Sequence, residues 1–184
     1  MFIIEVAFKN YLNRRQTMNK IAILYGSSGG NTESIAGRIQ QMFDGEADIF
    51  NVEDVSIDSV QPYQYLILGS STTGMGDLQD DWESFLPTFS SRMDFTDKTV
   101  AIFGLGDSAS FSSSYAEAIY VLHDELKDKV KIVGEIADEG YTYDDSSAVV
   151  DGKWLGLALD EDNEYDETEE RITKWVEQLK KEFV

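Results

Sequence analysis

The chain has 184 residues, 42% of them hydrophobic, with 35 acidic against 15 basic side chains and a formal net charge of −20. That length fits one domain with a sizeable core, and so acidic a surface argues against nucleic acid, whose backbone needs neutralising cations. There is no cysteine, so neither disulfides nor thiol redox chemistry operate, and no apolar run approaches the roughly 20 residues of a membrane span. These totals predict a cytoplasmic monomer whose protein partners are basic, met by electrostatic steering that salt weakens.

Residues 1–17 differ from the rest. Lys9, Arg14 and Arg15 outnumber Glu5, and Phe2, Ile3, Ile4, Val6 and Phe8 make a short apolar patch. A targeting segment or an extra strand fits that patch. No small-residue cleavage motif follows, so a secretory signal is a weak reading. Met18 stands just before the first strand, so we read 1–17 as an N-terminal extension, mobile or not native, and 18–184 as the folded domain.

The apolar run Ile21 to Leu24 reads as a buried parallel strand, followed by Gly26, Ser27, Ser28, Gly29, Gly30, Asn31 and then Thr32 opening a helix. Strand, glycine and hydroxyl loop, then helix start make a phosphate site: glycines let backbone N–H groups approach closely and the helix N-terminus adds its dipole. No lysine or arginine lies in the loop, so binding uses neutral donors. That suits a single terminal phosphate better than a nucleoside triphosphate with magnesium. The Walker pattern and the GxGxxG fingerprint are both absent.

Further strand-like runs fall at 48–52, 65–69, 100–103 and 131–135. Helical stripes are carried by Ile35, Ile39, Met42 and Phe43, by Trp82, Phe85, Leu86 and Phe89, by Tyr115, Ile119, Leu122 and Leu126, and by Ile172, Trp175, Val176 and Leu179. The stretch 52–60 is short for a helix and ends at Pro62. Strand alternating with helix predicts an α/β fold, a doubly wound five-stranded parallel sheet of order 2-1-3-4-5, with ligand beyond the strand C-terminal ends. Strand five is interrupted by a polar excursion at 138–153, and 155–159 returns to the sheet.

Two more loops leave strand ends on the same edge. Ser70, Ser71, Thr72, Thr73, Gly74, Met75, Gly76 and Asp77 follow strand three; Gly104, Leu105, Gly106, Asp107, Ser108, Ala109, Ser110 and Phe111 follow strand four. Together they are suited to sandwich a flat ring, with Phe111 on one face and Met75 or its neighbours on the other.

Four motifs, GSSGGNTE at 26–33, GDLQDDWE at 76–83, FGLGD at 103–107 and LGLALDEDN at 155–163, make the chain resemble a flavodoxin of the long-chain group, from about residue 20 to 183. The 138–153 excursion matches the insertion that defines that group. The resemblance implies non-covalent FMN and single-electron transfer. It assigns the phosphate to Ser27, Ser28, Gly29, Gly30, Asn31 and Thr32. Ser71, Thr72, Thr73, Gly74, Met75 and Gly76, with Gly104, Leu105, Gly106, Asp107 and Phe111, enclose the isoalloxazine, and Asp107 meets the pyrimidine edge. Asp162 matches an acidic residue near the ribityl chain.

Three positions depart from the family pattern. Thr73 stands where many members have a tryptophan, which leaves Met75 as the cover of the inner ring face. Phe111 replaces the usual stacking tyrosine, and Gly29 a frequent threonine. The resemblance further implies a neutral semiquinone whose N5–H meets the Gly74 carbonyl. It implies an anionic hydroquinone opposed by Asp77, Asp80, Asp81, Asp107, Asp160, Glu161 and Asp162, so that the semiquinone/hydroquinone couple works at low potential. The partners implied are a reductase donor and acceptor enzymes, and the chain itself is not an enzyme.

Other readings are weaker. An FMN-dependent NAD(P)H:quinone reductase of the same fold needs a nicotinamide pocket, and the acidic loops repel NADPH. A receiver-like signalling domain needs paired acids at the end of strand one, where Tyr25, Gly26 and Ser27 stand instead. His123 lies off its helix stripe and is expected exposed; a lone histidine makes no metal site. Trp82, Trp154 and Trp175 are expected to pack in the core. The acidic runs 160–162 and 166–170 read as a solvated face, with Asp162 the exception. Tyr141 and Tyr143 suit a partner surface and ordinary loop packing equally.

Overall fold

The computed structural model describes residues 20–184; the expected extension at 1–17 lies outside them. Five positions across the central sheet run β10-β5-β3-β1-β2. Here β1 is Ile21–Gly26, β2 Ala47–Asn51, β3 Tyr65–Thr73, β5 Thr99–Leu105 and β10 Leu157–Leu159. All four neighbouring pairs along that path are parallel. This is the expected 2-1-3-4-5 order.

Every residue of β1 is buried, because both faces of the sheet are covered. Ala22 and Leu24 face one core with Trp82, Phe89 and Leu122, while Ile21, Ile23 and Tyr25 face the other with Ile35, Ile39 and Trp175. The period of two thus feeds two layers. Each fully buried Ile or Leu contributes roughly 1.5–3 kcal/mol by leaving water.

The helices follow the apolar stripes. The first, α1 (Asn31–Met42), buries Ile35, Ala36 and Ile39. The stretch after β2 holds one helical turn, α2 (Ile57–Val60), capped by the Ser56 side chain. Next, α3 (Asp80–Arg92) buries Trp82, Leu86 and Phe89. Helix α4 spans Ala118–Leu126, so Tyr115 precedes it rather than sharing its stripe. The reason is Ala116, whose φ of +52° breaks the helical path; Tyr115 is nonetheless 1% exposed. The last helix, α5 (Tyr165–Glu182), buries Ile172, Trp175, Val176 and Leu179. None of the helices among the described residues is long and apolar enough to cross a membrane.

Strand five is split as expected, and β5 carries both halves on one edge. Its start pairs with β6 (Lys131–Val133) and its end with β10, both in parallel. The first half stops at Val133, since Gly134 adopts φ +86°. The excursion is not merely a loop. Short strands β7 (Ile136–Ala137), β8 (Val149–Val150) and β9 (Lys153–Trp154) form a second, antiparallel sheet of order β7-β9-β8. Trp154 anchors it, packed against Tyr115, Tyr141 and Tyr143 at centroid distances of 5.6, 5.2 and 5.1 Å. Tyr141 and Tyr143 therefore serve loop packing. Their hydroxyls donate to the Ala158 carbonyl and the Asp138 carboxylate.

The three tryptophans are core residues, each at most 1% exposed. His123 differs from expectation: it is half-buried, and burial together with Lys127 holds its pKa below the usual value.

Candidate functional site

The phosphate-type loop leaves β1 at Gly26, which has no room for a side chain: an added Cβ would stand 2.2 Å from Gln79 Oε1. Within the loop, the Gly30 N–H donates to the Ser27 hydroxyl at 3.0 Å. Gly30 turns the chain into α1 at φ +91°, a conformation that suits glycine. No side chain caps α1 among the described residues. Its first-turn N–H groups therefore point at the loop mouth unclaimed by the helix, the arrangement that binds an anion. Ser28, Gly29, Gly30 and Asn31 are exposed there, whereas Thr32 is buried. Glu33 does not face the loop mouth freely, since it accepts the Tyr25 hydroxyl at 3.1 Å. Burial, then Glu33, raises the Tyr25 pKa.

Beyond the sheet proper, β3 continues as one arm of a hairpin with β4 (Asp77–Leu78), pairing Thr72 with Leu78 and Thr73 with Asp77. The Gly76 N–H closes the turn on the Thr73 carbonyl at 3.1 Å. Gly74 sits at φ +55°, and an added Cβ would meet Asp77 Oδ2 at 2.8 Å. Thr73 turns its hydroxyl back to the Leu78 carbonyl at 2.8 Å. Met75, at the tip, is 89% exposed and stands outside the cleft lining.

The third loop leaves β5. Gly104 still belongs to the sheet, packed beneath Ile119, whose Cγ1 an added Cβ would approach to 2.6 Å. Leu105 ends the strand, and Gly106 and Asp107 carry the chain into the loop. Phe111, about half exposed at 49%, stands on the loop's far side.

Between these walls lies a half-open cleft of about 250 Å³. It brings together Asn31 of the first loop, Ser71, Thr72 and Gly74 of the second, Leu105, Gly106, Asp107 and Phe111 of the third, and Asp162. Ser27, Ser28, Gly29, Gly30 and Thr32 flank Asn31 rather than line the cleft. Thr73, Met75 and Gly76 form the hairpin's outer side. The lining also includes Ser114 and Glu161. Ser114 was not expected there; it follows Phe111 in a 3₁₀ turn (Ser112–Ser114).

Three carboxylates, Asp107, Glu161 and Asp162, line the cleft. Asp107 Oδ1 accepts the Ser110 and Ala109 N–H groups at 2.8 and 3.1 Å and the Asn163 amide at 2.9 Å. Hydrogen bonds from Ser110, then from Asn163 and Ala109, pull its pKa down to about 2. Glu161 is ion-paired with Arg38 at 3.6 Å and accepts the Thr168 hydroxyl.

Two roles escaped the sequence. Gln79 caps α3 with its carbonyl oxygen, accepting the Asp81 and Trp82 N–H groups at 3.0 and 3.3 Å. Its amide nitrogen reaches the Ser28 hydroxyl at 3.2 Å. The acidic first turn at Asp80, Asp81 and Glu83 was the available signal for that cap. Asp160, read as part of a solvated face, is completely buried. It looked like Glu161 and Asp162 because charge runs do not reveal which member turns inward.

An uncapped helix start beside a hydroxyl loop, with a glycine-walled slot facing a phenyl ring, fits a phosphate joined to a flat ring system. Comparison with known proteins bears on this. The sequence profile of the flavodoxin family matches residues 23–175. A flavodoxin of Helicobacter pylori is 42% identical over 166 residues, covering 90% of this chain and 99% of that one. Flavodoxin 1 of Azotobacter vinelandii is 39% identical over 172 residues, covering 91% and 99%. Among solved structures, Fusobacterium nucleatum flavodoxin bound to flavin mononucleotide superposes with a TM-score of 0.82 at 32% identity, over 88% of this chain and 97% of that one.

Proposed function

The chain belongs to the flavodoxin family and is an electron carrier rather than an enzyme, and we propose that its FMN lies in the cleft between Asn31, Gly74 and Phe111. The observation that carries this reading is the convergence of three loops on one edge of the sheet, one of them ending at an uncapped helix N-terminus.

In this reading the phosphate lies against the Ser27–Thr32 loop, held by first-turn N–H groups and by the Ser28, Asn31 and Thr32 side chains without a counter-charge. Gly74 and Phe111 would hold the ring, Gly106 and Asp107 its pyrimidine end, and Asp162 would stand near the ribityl chain. Bound FMN supplies one-electron redox chemistry. The protein's part is positional and electrostatic. Gly74, already at positive φ, permits its peptide to turn toward the ring at low cost. Asp107, Glu161 and Asp162 line the cleft and would oppose added negative charge there, which favours a low potential for the second reduction step.

Basic redox proteins dock on the acidic surface around the cleft, a reading supported by the net charge of −20, because complementary fields steer encounter.

The test is stepwise anaerobic reduction of the FMN-loaded protein with visible spectra. Accumulation of a blue one-electron-reduced form near one electron per flavin, followed by slow bleaching, is the expected result. Direct two-electron bleaching without that form overturns the one-electron reading.

A further inference from the structure

The buried carboxylate of Asp160 sits where β10 leaves the sheet, directly behind the cleft wall. It accepts the Ser108 N–H at 2.9 Å through Oδ2 and the Asp162 and Asn163 N–H groups at 3.0 and 2.9 Å through Oδ1. The Asn163 side-chain amide donates to both of its oxygens at 3.1 and 2.9 Å, and the same nitrogen reaches Asp107 Oδ1 at 2.9 Å. Two adjoining loops of the wall, one from β5 and one from β10, are thus tied to a single side chain.

A carboxylate is costly to bury, and well-packed apolar residues commonly serve stability as well as a buried charge does. Asp160 is 0% exposed, yet its charge is matched by donors from both loops. Burial works to raise its pKa, and the hydrogen bonds from Ser108 and Asn163 outweigh that, so it sits below the ordinary carboxylate value. An asparagine in its place has only one accepting oxygen, and its NH2 group would face N–H donors.

We propose that Asp160 is a positioning residue for the flavin site: it aims the Gly106–Phe111 loop at the ring and holds a fixed negative charge behind the pyrimidine end. This rests on the reading of the cleft as an FMN site. The structural relationship itself, a buried acceptor joining Ser108 to Asn163, does not.

The test uses the full chain and Asp160→Asn. In FMN-free protein, amide hydrogen exchange at Ser108 and Asn163 speeds up, while Leu157 and Leu159, paired with β5, keep their protection. Fluorescence titration with FMN then shows about tenfold or weaker binding, the size expected when buried donors lose their acceptor. In the loaded variant the potential of the second reduction step moves positive, because an anion is no longer opposed by that charge. A change that only loosened the fold would weaken binding of every redox state alike and leave the potential in place. Unchanged FMN affinity, or an unmoved potential, overturns the proposal. Failure of the unaltered protein to bind FMN overturns instead the functional reading, while accelerated Ser108 exchange in the variant still reports the clamp.

Should Asp160→Asn fail to fold, Asn163→Ala cuts the bridge to Asp107 at an exposed position. Several-fold weaker FMN binding with faster exchange at Ser110 is expected from loss of one charge-assisted hydrogen bond. Affinity equal to the unaltered protein's overturns the proposal.

Discussion

Gln79 Nε2 donates to the Ser28 hydroxyl at 3.2 Å while Gln79 Oε1 receives the Asp81 and Trp82 N–H groups. One buried side chain therefore starts α3 and steadies the phosphate-type loop. Loss of an N-cap costs about 1 kcal/mol, up to about 2, so Gln79→Ala is expected to lower unfolding free energy by that amount in urea titration. FMN affinity should fall as well, since Ser28 loses its tether; a stable variant with unweakened binding would detach the two roles.

Gly30 offers a cleaner backbone test. No atom lies within 4 Å of the Cβ that Gly30→Ala would add, and φ is +91°. Any cost is therefore conformational, about 1–2 kcal/mol for an L-residue in the left-handed region. The expected result is that destabilisation together with weaker binding of FMN and of inorganic phosphate, because the first-turn amides change their aim. Riboflavin, without a phosphate, should bind the variant and the unaltered protein alike.

Trp154 holds the inserted sheet to the domain. It is fully buried, ringed by Tyr115, Tyr141 and Tyr143, and donates its indole N–H to Asp138 at 2.9 Å. Trp154→Ala is expected to cost roughly 3–5 kcal/mol, measured by chemical denaturation.

Asp107 gives a prediction in pH. Its folded pKa is about 2, below the unfolded value of about 3.9. A depressed carboxylate stabilises the fold fully above the unfolded pKa, and that contribution disappears as pH falls through the folded one. The stability difference between the unaltered protein and Asp107→Asn should be constant above about pH 5 and shrink toward pH 2. Asn163→Ala, which removes one of its donors, should move the Asp107 carboxyl titration upward by NMR.

The net charge of −20 makes partner encounter depend on salt. Electron transfer to a basic cytochrome is expected to slow markedly as ionic strength rises from about 0.01 to 0.15 M, where the screening length falls from about 30 to 8 Å. An acidic acceptor should show the opposite trend.

Much of the fold is legible because each buried parallel strand is a continuous apolar run and each glycine loop follows one. Ile21 to Leu24 can only be covered on both sides, and the helix stripes at Ile35, Trp82, Ile119 and Ile172 supply the covers. The same reasoning places three loops at one edge before any coordinate is known. It fails where elements are too short for a period. The strands Ile136–Ala137, Val149–Val150 and Lys153–Trp154 are two residues each, so their sheet is invisible to alternation. Tyr115 keeps helical spacing with Ile119 and Leu122, yet Ala116 at positive φ puts it outside the helix.

The sequence by itself determined the layer order, the strand-end loops and their chemistry, because apolar periodicity and glycine placement are local properties of the chain. Tertiary structure alone decided which acid of Asp160, Glu161 and Asp162 turns inward and which side chain bridges two loops. Asp160 is separated by 52 residues from the Ser108 N–H it accepts, and Gln79 by 51 from Ser28. Such partners are chosen by where the sheet delivers each loop, and the cost of leaving a buried donor or charge unmatched fixes the pairing only once those loops have met.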